Sequence, residues 1–398
     1  MSTDNAPTAA AAAPPETKKI VRTFAVASFL NDMGSDIINP VWPLFVTQVL
    51  KANMAALGFL DGLGEAIVSL SQAVAGYSSD KIRKRKVFIW TGYLCGAVSR
   101  LGYAASSLWQ HLVPFRILDR AGKIRGAPRD AMLADLSTDA NRGRHFGLLR
   151  AMDNSGSVAG ILISLALFRV LGYRLLFALA AVPSIIGAGL ILKNIKEARP
   201  PVARIFKGLS FRDIGRNLTL YIVLNAAFAL GAFTYSFLLL FAKSEGFKSG
   251  TIPLLFLVYS VVAAVLSYPF GRLSDRIGRK PVMFMAYGAW AAVCAGVAFF
   301  GDGRAAVASL FVLYGVHKAA LDPVQKTLAA ELAPQPYRAS VLGGFQMVIG
   351  LCAFPASLVA GFLWDRLGSR APFYLSLGLT AVAAGLLLFV KETRRREA

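Results

Sequence analysis

Residues 76–86 read GYSSDKIRKRK, and residues 271–281 read GRLSDRIGRKP. At this shift of 195 positions, Gly76 falls on Gly271, Asp80 on Asp275, Lys81 on Arg276 and Val87 on Val282. The same shift carries Lys123 onto Lys318 and Pro128 onto Pro323. So many coincidences at one offset mark an internal duplication, with a period near half of the 398-residue chain.

Working outward from the two loops, the flanking sequence is membrane-like. The chain is 56% hydrophobic and only 16% charged, with mean hydropathy +0.54, whereas soluble domains carry about a quarter charged residues. Apolar stretches of about 20 residues, the length of a helix crossing hydrocarbon, recur at 21–47, 55–78, 87–107, 112–135, 146–168, 174–193, 218–243, 251–271, 281–300, 304–330, 340–364 and 372–390. Open strands would leave backbone groups unsatisfied in lipid, so these spans are read as helices. The expected fold is an all-α integral membrane protein of twelve transmembrane helices in two pseudo-symmetric six-helix halves. Residues 1–20 are expected to be a disordered tail, 21–193 the first bundle, 194–217 a basic linker, 218–390 the second bundle and 391–398 a tail.

The net charge of +21 lies mainly in the tails, the linker and the loops on one side of the membrane. That positive-inside asymmetry puts both termini in the cytoplasm. The basic balance is thus a topology signal, and the expected partner is a lipid bilayer, not nucleic acid. Cys95, Cys294 and Cys352 are odd in number and lack ligand spacing, so no metal or cofactor is expected. No short apolar core with a cleavage site precedes the first span, which is read as retained.

The pattern G-x-x-x-D-[R/K]-x-G-[R/K]-[R/K] between spans 2 and 3, repeated between spans 8 and 9, resembles the signature loop of the major facilitator superfamily. The resemblance covers essentially the whole chain. NDMGSDIINPVWPLF at 31–45 and DRAGKIRGAPRDAML at 119–133 resemble a bacterial group whose fourth helix reads DRxGKGIRxAPRDAL. This chain departs from it by lacking the glycine after Lys123 and by carrying Arg83 at a glycine position, which alters the tight turn. The resemblance implies a monomeric secondary transporter of the inner membrane that works by alternating access, with export favoured over import. It also implies a latch on the cytoplasmic face: Gly76, Asp80, Lys81, Lys84 and Arg85 in the first loop, and Gly271, Asp275, Arg276, Arg279 and Lys280 in the second.

Charge inside the spans carries the chemistry. Arg116, Arg120 and Lys123 share one stripe of span 4, and Asp119 is placed to pair with Lys123. Each charge at mid-bilayer costs roughly 2.5–3.5 kcal/mol, so the group must line a cavity or pair with acids. Asn31, Asp32 and Asp36 in span 1 and Asp61 and Glu65 in span 2 are the candidate partners. Two readings stand: a fixed ion-pair scaffold, or a site that binds substrate and exchanges protons, with Asp32 and Asp36 as coupling acids. At the shifted positions Asp32 becomes Ala227, Asp61 becomes Phe256 and Glu65 becomes Ser260. The second half therefore contributes Asn225, Tyr235, His317 and Lys318. Pro128 and Pro323 are expected to kink spans 4 and 10.

No nucleotide-binding loop, G-x-S-x-G or H-E-x-x-H occurs, so the chain is read as a proton-coupled transporter and not an enzyme. Its Arg and Lys residues suit an anionic or metal-chelate ligand, taken up by symport or facilitated diffusion. If its acids neutralise them, a cationic or neutral small molecule fits equally. A receptor that has kept the fold without turnover is the remaining class.

Overall fold

The computed structural model describes residues 15–82, 84–138, 142–197, 215–300, 303–334 and 338–392. Most of the linker, Arg83 and the outermost tails lie outside them. Among the described residues all regular structure is helical. Span 1 runs Pro15–Ile38, beginning inside the stretch read as tail, and resumes at Trp42–Leu44 and Phe45–Val49. Span 2 is Met54–Ile82 and span 3 Lys86–Ala105. Span 4 is Leu112–Ala121, a 3-10 turn Gly122–Arg125, then Gly126–Asp135. Spans 5 and 6 form one run, Arg142–Asn194, broken at Gly172, whose φ of 64° is left-handed. Span 7 is Arg216–Gly231 and Tyr235–Ser244. Spans 8 to 12 are Ile252–Ile277, Arg279–Phe300, Arg304–Leu332, Arg338–Leu367 and Ala371–Phe389.

Eight of these helices are long and apolar enough to cross a membrane, the joined run of spans 5 and 6 being one of them. Spans 1, 3 and 4 fall short, and spans 1 and 4 are rich in charged residues. Their mid-span charges, such as Asp32, Arg100 and Arg116, are turned toward protein.

Spans 1 and 7 break within two residues of corresponding positions, at Asn39–Val41 and Ala232–Thr234. Pro40 and Pro43 explain the first break, since proline has no N–H to donate. Span 4 breaks ahead of its proline. A Cβ on Gly92 of span 3 would lie 2.5 Å from the Gly122 carbonyl, so the helices cross there in close contact, which only small residues permit. Pro128 then occupies the first turn of the restarted helix, where its missing N–H costs little. Pro323 lies inside an unbroken helix. Span 4 thus carries a 3-10 turn ahead of Pro128, and span 10 runs as one helix through Pro323.

The end of the molecule carrying the signature loops, the linker and the outer ends of spans 1 and 12 is called here the near end. The halves meet at the far end. Asp365 of span 11 accepts hydrogen bonds from the Met54 and Ala55 amides at 3.0 and 2.8 Å, capping span 2. Deeper along the same seam, a Cβ on Gly62 would lie 2.7 Å from the Phe354 carbonyl. At the near end, no atom lies within 4 Å of where a Cβ would stand on Gly271, Gly343 or Gly344. All the described hydrogen bonds between halves lie in the far part of the molecule.

Each half closes its own near end by the same device. Glu197, past span 6, accepts from the Arg85 and Lys86 amides at 2.6 and 3.1 Å. Glu392, past span 12, accepts from the Arg279 and Lys280 amides at 2.5 and 3.2 Å. The two glutamates are again 195 positions apart. Gly278 turns the second loop with φ 104°; Arg83 stands at the matching position, and span 3 starts at Lys86 where the shifted start of span 9 would be Lys84.

Candidate functional site

The breaks in spans 1 and 7 meet at Asp61 of span 2, which is 2% exposed. One of its oxygens accepts Trp42 Nε1 at 2.9 Å and Arg116 Nη2 at 2.8 Å. The other accepts Thr234 Oγ1 at 2.9 Å and Ser236 Oγ at 2.6 Å. A carboxylate only accepts, so four donors fit it in the ionised form. The Arg116 guanidinium also lies 4.5 Å from the centre of a Trp42 ring. Tyr235 Oη donates to the Asn39 carbonyl at 3.5 Å, joining the two broken helices directly. Asp61 thus ties spans 1, 2 and 4 of one half to span 7 of the other.

Toward the near end follows a ladder of charge. Gly64 leaves room for Arg116 and Arg120, since a Cβ there would lie 3.1 Å from Arg116 Nε. Arg120 Nε is 3.6 Å from Asp119, so Asp119 pairs with its neighbour instead of with Lys123. Arg125 Nη2 is 3.8 Å from Asp32, whose Oδ1 also accepts Asn31 Nδ2 at 3.0 Å. Arg129 pairs with Asp130 at 2.9 Å and with Asp153 at 3.8 Å. Arg150 lies 3.6 Å from Asp130 and 3.3 Å from Asp153.

Three charges stand apart. Asp36 accepts Asn39 Nδ2 at 2.8 Å, and Glu65 lies in the electrostatic reach of Arg120 and Lys318. Among the described residues neither has a cation within 4.0 Å. Lys123, near Asp36 and Asp32, likewise has no carboxylate that close.

Across from them the second half presents rings. Tyr235 packs on Phe256 at 5.1 Å, Phe256 on Tyr259 at 4.8 Å, and Tyr259 on Tyr314 at 5.1 Å. Lys318 pairs with Asp322 at 3.0 Å. Asn225 and His317 are turned inward. Asn225 donates to the Tyr221 carbonyl and accepts from Gln325, both at 2.7 Å. His317 Nδ1 lies 2.9 Å from the Ala286 carbonyl, and the ring is 4% exposed.

Of the latch residues, Gly76 and the side chains of Asp80 and Lys81 lie outside what is described. Lys84 and Arg276 are exposed. Arg85 pairs with Asp135 at 2.5 Å; Arg279 pairs with Asp275 at 2.5 Å and with Glu331 at 3.0 Å. Lys280 Nζ donates to the Leu388 carbonyl at 2.7 Å and the Val390 carbonyl at 3.0 Å. Each of these bonds stays within one half.

Arg100 of span 3 is a buried charge outside the set expected from the sequence. It is 2% exposed and donates to Ala180 O, Ser184 Oγ, Asn31 O and Ser35 Oγ, pinning spans 1, 3 and 6 together. A lone charge in an otherwise apolar span was the available signal.

The comparisons agree with this architecture. A family model of the Major Facilitator Superfamily matches residues 24–255 and 222–398. An uncharacterised transporter of that type from Methanocaldococcus jannaschii is 35% identical, covering 94% of this chain and 96% of its own length. Class C tetracycline resistance protein from Escherichia coli is 26% identical, covering 84% and 90%. Multidrug resistance protein MdtH from Cronobacter sakazakii is 23% identical over 92% of each chain. Among solved structures, a bacterial homologue of the lysosomal transporter Spinster, inward-facing and occupied, superposes with TM-score 0.79 at 14% identity, covering 95% and 97%. A D-xylose–proton symporter superposes with TM-score 0.74 at 15% identity, covering 94% and 98%. Two six-helix halves joined at one end around a polar centre, with a matching family model along nearly the whole chain, make this protein a member of the major facilitator superfamily, a multi-pass secondary transporter.

Proposed function

We propose that the protein exports a cationic, aromatic small molecule across the inner membrane in exchange for protons. The observation that carries this reading is the pair of carboxylates, Asp36 and Glu65, without a cation within 4.0 Å among the described residues. Arg116, Arg120, Arg125, Arg129 and Lys318 all have acidic partners. Two acids without a cation therefore face Lys123, while Arg100, the other buried cation with no carboxylate within 4.0 Å among the described residues, is turned onto carbonyl and hydroxyl oxygens of spans 1 and 6. An ionised carboxylate at this depth is costly, and either a proton or a cationic substrate relieves the cost. Because one charge satisfies the site, proton and substrate compete, which is the requirement for exchange.

The positive-inside pattern supports a cytoplasmic near end, and with that orientation the described state is open inward. Substrate enters past the loops, its charge is met by Asp36 and Glu65, and its rings lie against Tyr235, Tyr259 and Tyr314. The names of the multidrug and tetracycline resistance relatives point the same way.

Ethidium flux into proteoliposomes with an acidic lumen tests the proposal. Wild type should accumulate the dye and stop when an uncoupler collapses the gradient. Asp36→Asn and Glu65→Gln should each lose about tenfold to a hundredfold in proton-driven rate, as the loss of a charge-assisted contact implies. Flux indifferent to the uncoupler, or variants as fast as wild type, would sink the proposal. Anion flux abolished by Lys123→Gln would favour the anionic ligand instead.

A further inference from the structure

A groove on the outer surface lies between spans 1 and 6 at the near end, remote from the central charges. Its volume is about 400 Å³, and its walls are two helix stripes. Lys18, Arg22 and Val26 are spaced i, i+4, i+8 along span 1, with Lys19 and Thr23 beside them. Asn194 and Leu190 face them from span 6, and Ile186 continues that stripe with 49% of its surface exposed. Both stripes change in the same sense, from charged or polar at the near end to apolar about 12 Å deeper.

Lys18, Lys19 and Arg22 are exposed, and among the described residues no carboxylate lies within 4.0 Å of any of them. Asp32 and Asp36 of span 1, Asp61 of span 2 and Asp119 of span 4 belong to the central charge ladder and not to this face. A transporter of this fold has its near-end helix termini at the headgroup level. Three cations with no carboxylate within 4.0 Å among the described residues, set above an apolar trough, match a molecule with an anionic head and a hydrocarbon tail, and a soluble anion would leave the trough unused.

We propose that this groove is a binding site for an anionic phospholipid of the leaflet at the near end. The phosphate is held by Lys18, Lys19 and Arg22, with Asn194 as a further donor, and an acyl chain lies along Val26, Leu190 and Ile186. The site fastens span 1 to span 6 from outside, as Arg100 does from inside.

Native mass spectrometry of the full chain with dioleoyl phosphatidylglycerol tests this, using dioleoyl phosphatidylcholine and inorganic phosphate as controls. Wild type should retain phosphatidylglycerol in preference to phosphatidylcholine. The variant K18Q/K19Q/R22Q should bind it about a hundredfold more weakly, given the contribution of each basic residue near an anionic surface. The control K51Q/K248Q, which removes two positive charges at the far end, should bind as wild type. Equal binding by K18Q/K19Q/R22Q, equal retention of phosphatidylcholine, or full competition by inorganic phosphate would each overturn the proposal. So would binding that occurs only after deletion of residues 2–14, which would assign the groove to that segment.

Discussion

Asp61 and Arg116 are both nearly closed to solvent, with side-chain exposures of 3% and 5%, and each is the other's counter-charge. Removing one leaves a buried charge unpaired, at a cost of about 3–5 kcal/mol, whereas removing both leaves no orphan. Asp61→Asn and Arg116→Leu should therefore each lower the melting temperature sharply, and the double variant should cost less than the sum of the two. Thermal unfolding in detergent across the four proteins checks this, and strict additivity would mean that the pair is not coupled. The presence of such charges was legible because acids and bases stand out in an apolar sequence. Their pairing was not. Arg116 turns to span 2 and Asp119 to Arg120, because partners are chosen by how helices pack, and helical spacing does not report that. Arg100 was missed for a related reason: a single residue has no period.

The near-end caps belong to the scale of the helix. Glu197 and Glu392 each satisfy two amides at the start of spans 3 and 9, groups that have no partner within their own helix. Glu197→Ala should cost about 1–2 kcal/mol and fray the first turn of span 3. Limited trypsin digestion would read this as faster cleavage between Arg83 and Lys86; an unchanged rate would mean that the amides find another acceptor. Glu392→Ala should do the same at Arg279, so the two variants form an internal control. The duplication was visible from the loops alone, and the same shift extended to Glu197 and Glu392 would have found this pair. The breaks were less legible. Span 7 breaks with no proline, whereas span 10 runs as one helix through Pro323, so a proline by itself does not tell where a helix yields.

At the scale of the molecule, the far end is held shut by close packing of span 2 on span 11 and by hydroxyls of span 7 on Asp61. A side chain at Gly62 cannot be accommodated against Phe354 without movement. Gly62→Leu should therefore shift the population toward a far-open state. Maleimide labelling of a cysteine introduced at Gln48 should rise, while labelling of one at Gly344 should fall. Equal labelling in both backgrounds would show that the seam does not set the equilibrium.

The cap that Asp365 places on span 2 has no counterpart in the duplicated unit. The position 195 residues earlier is Val170, which is 79% exposed, and the seam between spans 5 and 8 is much the shorter of the two. The far end is therefore sewn unevenly, closely along spans 2 and 11 and over a shorter length along spans 5 and 8. On a far-end opening the cleft is expected to widen first along the shorter seam.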